Sequence, residues 1–155
     1  MLRRPLALCA LLAVLAASGC DGVGSEPTFD ISAYLGTYTG TRTIIEDDRA
    51  SLIEGVTFEI AADEAARTVT LTLTPDIGAP EVLRGAYDDG GIDIASSYGG
   101  LAVSFSVVPD GTVSGTWEVT DQGAAVSGTL TPARFDLTFT PADPGGTRTE
   151  IRTSR

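Results

Sequence analysis

The chain has 155 residues, with 21 acidic and 10 basic side chains, no histidine and two cysteines, and this length fits one domain. The absence of histidine excludes serine triads and histidine-ligated zinc, and a net charge of -11 disfavours nucleic acid, whose phosphates bind clustered cations. A hydrophobic content of 43% with 18 glycines indicates a folded, turn-rich β protein.

Residues 1–19 have the layout of a secretory signal peptide. Two arginines give a basic start, and residues 6–17 form an apolar run of about a dozen residues, whereas a membrane-spanning helix needs roughly 20. The run ends at residues 17–20, Ala-Ser-Gly-Cys, which resemble the lipobox of bacterial lipoproteins with alanine where leucine is usual. The resemblance implies cleavage between Gly19 and Cys20 and attachment of lipid to the Cys20 thiol.

The expected location is therefore the bacterial cell envelope, with the chain anchored in a membrane by lipid; inner and outer membrane both remain open. Residues 20–29 follow as the lipidated cysteine and a polar, glycine-rich segment, which suits a flexible linker. Cys9 would leave with the leader, so the mature chain would contain no internal disulfide. The alternatives are an ordinary signal peptide that happens to end near a cysteine and an uncleaved membrane anchor.

From residue 30 onward, apolar residues alternate with threonine or serine at a period of two, which predicts strands with one buried and one wet face. Short segments rich in aspartate and glycine separate these runs and favour tight hairpins. A single helical turn is expected around residues 30–34, and residues 142–155 are predicted to be an edge strand or a tail. About nine strands are predicted, near 34–45, 51–61, 67–74, 81–87, 91–97, 101–108, 112–120, 124–131 and 134–140.

Long unpaired sheet edges invite aggregation, so residues 30–141 are predicted to close into a single antiparallel up-and-down β-barrel of about 8–10 strands. A sandwich of two sheets is the alternative. A transmembrane barrel is disfavoured because most runs have seven or eight residues, whereas about 9 to 11 are needed to cross a bilayer.

Residues 29–38, Phe-Asp-Ile-Ser-Ala-Tyr-Leu-Gly-Thr-Tyr, resemble the start of a lipocalin barrel, where a short turn leads into a first strand carrying Gly-x-Trp. Tyr38 stands at the tryptophan position, and residues 120–121, Thr-Asp, resemble a segment before the last two lipocalin strands. The resemblance implies an inward aromatic side chain at a closed end and a cavity for a lipid or another hydrophobic molecule. Arg134 is not assigned to the arginine that packs on this aromatic residue in the family.

Aromatic side chains are the candidates for the barrel interior or for ligand contacts. They are Tyr38, Phe58, Phe105, Trp117, Phe135 and Phe139. Each of them can instead serve as core packing, and the size of the barrel decides between these roles. No catalytic residue, metal site or cofactor is expected, since no histidine or lysine activates the hydroxyls and the Asp47–Asp48 and Asp88–Asp89 pairs fall in predicted turns.

The expected function is that of a lipid-anchored envelope lipoprotein with a non-catalytic barrel that binds a hydrophobic small molecule, as a monomer and without nucleic acid. The alternative is a surface module with a filled, ligand-free core that contacts a protein or a glycan through loop tyrosines such as Tyr87 and Tyr98.

Overall fold

The computed structural model of the chain describes residues 28–98, 101–119 and 122–155. The leader, the cleavage position at Gly19 and the lipidation position at Cys20 lie outside these residues. In the described part of the chain, no helix is long and apolar enough to span a bilayer.

A single 3-10 turn, Ile31–Ala33, precedes ten strands. The strands are β1 (Gly36–Glu46), β2 (Arg49–Asp63), β3 (Thr68–Pro75), β4 (Glu81–Asp88), β5 (Gly91–Tyr98), β6 (Leu101–Val107), β7 (Thr112–Val119), β8 (Gln122–Thr131), β9 (Arg134–Pro141) and β10 (Arg148–Ser154). Each strand pairs antiparallel with its neighbours in the sequence, and β1 also pairs with β10. The prediction of a closed, up-and-down antiparallel barrel is confirmed, and a two-sheet sandwich is excluded.

Strand alternation creates the core. On β3, Val69 and Leu71 are buried, whereas Thr68 and Thr74 on the opposite face are exposed. The same phase holds around the barrel, so that most large apolar side chains point inward while most threonine, serine and charged side chains cover the outside. Full burial of one such apolar side chain contributes about 1.5–3 kcal/mol to folding. Because the sheet is closed, none of its ten strands has an unpaired edge.

Up-and-down order gives the barrel two different ends. The end that we call the closed end carries the 3-10 turn, the chain terminus at Arg155 and the turns that lead out of β2, β4, β6 and β8. The opposite end, which we call the open end, carries the connections that follow β1, β3, β5, β7 and β9. The described chain therefore begins and finishes at the same end of the barrel.

Three aromatic side chains fill the closed end. Tyr38 and Phe135 are fully buried and their rings meet edge to face at 6.4 Å, while the Phe58 ring lies 4.7 Å from that of Phe135. The Tyr38 hydroxyl donates to the carbonyl oxygen of Tyr34 at 2.8 Å. Burial raises the pKa of Tyr38, although the nearby Arg155 guanidinium opposes this rise.

An arginine does pack on Tyr38, and it is Arg155. Its guanidinium carbon lies 5.9 Å from the centre of the Tyr38 ring, and its Nη1 donates to the carbonyl oxygen of Ala33 at 3.2 Å. Arg134 instead lies on the barrel exterior, where it pairs with Asp136 at 2.8 Å. Arg155 therefore packs against Tyr38, one of the three aromatic side chains that fill the closed end.

The segment after Pro141 contains a strand, one of the two expected possibilities, but this strand lies within the closed sheet and not at an edge. β10 is hydrogen-bonded on both sides, and its Ile151 lies between Arg42 of β1 and Leu137 of β9. Ile151 is the one apolar residue of Arg148–Ser154, so hydrophobic alternation is too weak to reveal the strand. Closure requires it, because without β10 both β1 and β9 would have bare edges.

Candidate functional site

A cavity of about 440 Å³ lies inside the barrel near its open end. Its apolar wall is formed by Trp117, Phe139 and Ile151 on β7, β9 and β10, and Leu73 of β3 adds an apolar side chain elsewhere on the lining. Arg42 and Glu81 supply polar groups on the lining, and Asp143 and Gly146 of the β9–β10 connection border it. The volume falls within the range of small-molecule sites, roughly 300–1,000 Å³.

The size of the inward side chains explains why the space occurs at this end. On β8, the buried side chains of Leu130 and Val126 fill the part of the barrel nearer the closed end. Toward the open end they are followed by the small residues Ala124 and Gly123. Small residues near the open end therefore leave the interior unfilled there, whereas the core toward the closed end is packed.

Two aromatic rings meet across β8 on the apolar wall. Trp117 of β7 lies opposite Ala124 of β8, and Phe139 of β9 lies opposite Val126 of β8. The ring centres of Trp117 and Phe139 are 4.9 Å apart at an angle of 79°, an edge-to-face arrangement. The small Ala124 side chain allows this contact, so the two rings present a continuous aromatic surface to the cavity.

An ion pair crosses β1 and β2 beside the cavity. Arg42 and Glu54 lie directly opposite each other, and Arg42 Nε donates to Glu54 Oε1 at 2.6 Å while its terminal nitrogen contacts the same oxygen. Glu54 Oε2 accepts the backbone N–H of Ile77 at 3.1 Å. Both carboxylate oxygens of Glu54 are therefore used, and its side chain is only 2% exposed.

Glu81, the first residue of β4, has a different environment. It lines the cavity, and its Oε2 is buried with no hydrogen-bond partner among the described residues. Burial raises the pKa of Glu81, and the positive charge of Arg42 only partly opposes this effect. A buried acceptor without a partner is unfavourable for folding, so this carboxyl group requires another explanation.

The aromatic residues singled out by the sequence fall into two groups. Phe105 and the closed-end residues Tyr38, Phe58 and Phe135 are core, with exposures between 0% and 4%. Trp117 and Phe139 are partly buried and line the cavity. The structure thus brings only two of the six into a place where a ligand could touch them.

Sequence reasoning missed the charged interior residues Arg42, Glu54 and Glu81. A signal for all three exists in the phase of the strands, and Glu81 lies two positions before the buried Leu83 on the same face of β4. Arg42 continues the inward series of Tyr38 and Gly40, and Glu54 is two positions before Val56 on the same face of β2. Extending the alternation beyond its apolar positions would have placed these charges inside.

The paired aspartates serve as turn residues. Asp47 and Asp48 adopt positive φ angles of 47° and 59° between β1 and β2, and Asp88 accepts the N–H of Gly90 at 2.7 Å. Within residues 28–98, 101–119 and 122–155, no group of three or more His, Cys, Asp or Glu side chains could hold a metal ion. The cavity at the open end, with its aromatic and charged lining, is the candidate site.

No family model and no curated protein matches the chain. Among solved structures, the chain is similar to a protein of unknown function from the DUF3598 family of Nostoc punctiforme, with a TM-score of 0.61 and 17% sequence identity. The match covers 84% of this chain and 50% of that one, so the chain spans about half the length of the protein that it resembles. At this identity the likeness shows a shared β-barrel fold and nothing about a ligand.

Proposed function

We propose that this protein is a lipid-anchored lipoprotein of the bacterial cell envelope whose barrel binds a small amphipathic molecule in the cavity at its open end. The observation that carries the proposal is the combination of an aromatic wall and an inward-facing charged group in one space of about 440 Å³. Small-molecule sites have this composition, a mostly apolar lining with a few polar groups that orient the ligand.

The energetics favour an apolar body against the aromatic wall. Each Å² of apolar surface removed from water contributes about 25 cal/mol, and the Trp117 and Phe139 rings offer a broad contact surface. The polar part of the ligand would then lie toward Arg42 and Glu81. We propose binding without turnover, because the chain has no histidine or lysine to activate a nucleophile.

The topology supports a particular orientation for the anchored protein. The described chain starts at the closed end, where the N–H of Phe29 donates to the carbonyl oxygen of Asp89 at 3.0 Å. A lipid on Cys20 would therefore hold the closed end toward the membrane. We propose that the cavity faces away from the bilayer that anchors the protein.

The binding proposal is tested with a chain that starts at Asp21, since all ten strands and their closure lie within residues 28–155. We expect saturable binding of a neutral polarity-sensitive dye such as Nile red, with one site per chain and energy transfer from Trp117, the single tryptophan of the sequence. Ala124→Leu adds three carbon atoms between Trp117 and Phe139, so it should weaken the dye at least about tenfold, roughly 1.4 kcal/mol.

The matched control is Ala125→Leu, which adds the same atoms one residue along β8 on the exposed face. It should leave dye affinity unchanged, and circular dichroism should show the same β content in both variants. Dye binding that does not saturate, or that Ala124→Leu leaves intact, would favour the surface interaction module and count against the cavity.

Anchoring is tested by producing the chain with its own leader in a bacterial host. Because two or more acyl chains bind membranes stably, the protein should sediment with membranes, and mass spectrometry should find a diacylglyceryl group on Cys20. Cys20→Ala should abolish the diacylglyceryl modification, whereas Cys9→Ala, within the leader, should not. An unmodified Cys20 thiol in the processed protein would contradict the proposal.

A further inference from the structure

We infer that the cavity selects a positively charged amphiphile, a protonated amine with an apolar body, whose ammonium group pairs with the carboxylate of Glu81 at the cavity wall. This inference rests on the proposed function, because it names the chemical class that the same cavity would bind. The head group of an amphipathic ligand can be anionic, neutral or cationic, and the residues that line the cavity interact differently with each.

An anionic head group finds a poor environment. Two carboxylates, Glu81 and Asp143, line the cavity, and the guanidinium of Arg42 is the one cation among its described lining residues. Arg42 already uses Nε and a terminal nitrogen on Glu54. A ligand carboxylate would share that single cation with Glu54, through the donors of Arg42 that Glu54 does not use, and would also meet two like charges.

A neutral head group can enter, but it gives little to Glu81. The Oε2 atom of Glu81 is buried and lacks a hydrogen-bond partner in the described part of the chain. Satisfying an ionised carboxylate requires a donor and, in a partly desolvated place, preferably a positive one. A hydroxyl group supplies a donor without the charge, so it would compensate this carboxylate only in part.

A protonated amine supplies both the charge and up to three donors. The apolar body of the same ligand can then lie on the aromatic wall, because Trp117 borders the same space as Glu81. The net charge of -11 also draws cations toward the molecule and repels anions. The geometry and the charge therefore favour the same ligand class.

The test compares decylamine, decanol and decanoate, which share one apolar chain and differ in head-group charge. Binding to the chain that starts at Asp21 is followed at pH 7 by Trp117 fluorescence and by calorimetry, with the amine protonated and the acid ionised. We expect one saturable site for decylamine, with a dissociation constant at least about tenfold below that of decanol and still further below that of decanoate.

Glu81→Gln keeps the shape of the side chain and removes its charge. We expect this variant to bind decylamine and decanol within about twofold of each other. Glu59→Gln removes one negative charge from the exposed face of β2 and should leave the tenfold preference intact, which separates the cavity from the general acidity of the surface.

Each remaining result counts against one of the two proposals. Decanol or decanoate binding as tightly as decylamine would overturn the amine inference and leave the binding function standing. A preference for decylamine that persists in Glu81→Gln would overturn the assignment to Glu81. If no ligand saturates, the proposed function fails, and the inference fails with it.

Discussion

Replacing Arg42 with methionine is expected to lower the free energy of unfolding by about 3–5 kcal/mol, the usual effect of removing one partner from a buried ion pair. The loss arises mainly at Glu54, whose side chain is 2% exposed and would keep a charge without its cation. The backbone N–H of Ile77 would be its remaining hydrogen-bond partner in the described part of the chain. Urea denaturation of the chain from Asp21 measures the change.

A double variant distinguishes the effect of an unpaired charge on Glu54 from the effect of lost packing at Arg42. Arg42→Met combined with Glu54→Gln removes both charges while the glutamine can still accept the N–H of Ile77. We expect this combination to recover most of the stability, because apolar or neutral replacement of a whole buried pair is often close to neutral. If the double variant is as unstable as Arg42→Met, the loss lies outside the Arg42–Glu54 pair, in the packing of the arginine stem or in the charge that Arg42 supplies beside Glu81.

The exterior offers a matched ion pair. Arg134 and Asp136 lie 2.8 Å apart, but the Arg134 side chain is 60% exposed. Arg134→Met should therefore change the free energy of unfolding by less than about 1 kcal/mol, as exposed pairs do. An equal loss at Arg42 and Arg134 would mean that burial inside the barrel adds nothing to the Arg42–Glu54 pair.

Strand alternation predicts the strands and their buried faces, and the avoidance of unpaired edges predicts closure, but neither predicts the contents of the barrel interior. Val69, Leu71 and Leu73 alternate with threonine, which marks a strand and its buried face without reference to any other part of the chain. β10 lacked this signal, since its place is determined by the bare edges of β1 and β9. Pairing between distant segments is information that a local pattern does not contain.

The candidate site was predicted only in part for a related reason. Phe105 and Phe139 are the same residue type in the same inward phase, yet Phe105 is core and Phe139 lines the cavity. The two residues differ in their position along the barrel axis, which the strand register determines. They also differ in the space around the ring, which depends on small residues of neighbouring strands such as Ala124. Glu81 was missed because an inward carboxyl group opposes the expectation that charged residues face water.

Glu81→Gln is expected to stabilise the barrel at neutral pH, by about 1 kcal/mol, because it removes a charge that has no direct partner among the described residues. The sign follows from the raised pKa of Glu81, since burial disfavours its ionised form more than Arg42 favours it. Below the ordinary value of 4.5, the carboxyl group is neutral in both the folded and the unfolded chain. The advantage of Glu81→Gln should thus be absent near pH 4 and grow as the pH rises through the raised pKa.

Thermal melts of both proteins between pH 4 and pH 8 measure this difference, with Glu59→Gln as the control that changes the net charge equally on the exposed face of β2. Glu59→Gln should not reproduce the gain of Glu81→Gln at pH 7, and a Glu81→Gln variant less stable than the native chain at pH 7 would refute the prediction. If replacing the Glu81 carboxylate stabilises the barrel, this carboxylate does not contribute to folding stability. Together with the decylamine preference, such a gain would identify Glu81 as a binding residue that the barrel retains at a cost in stability.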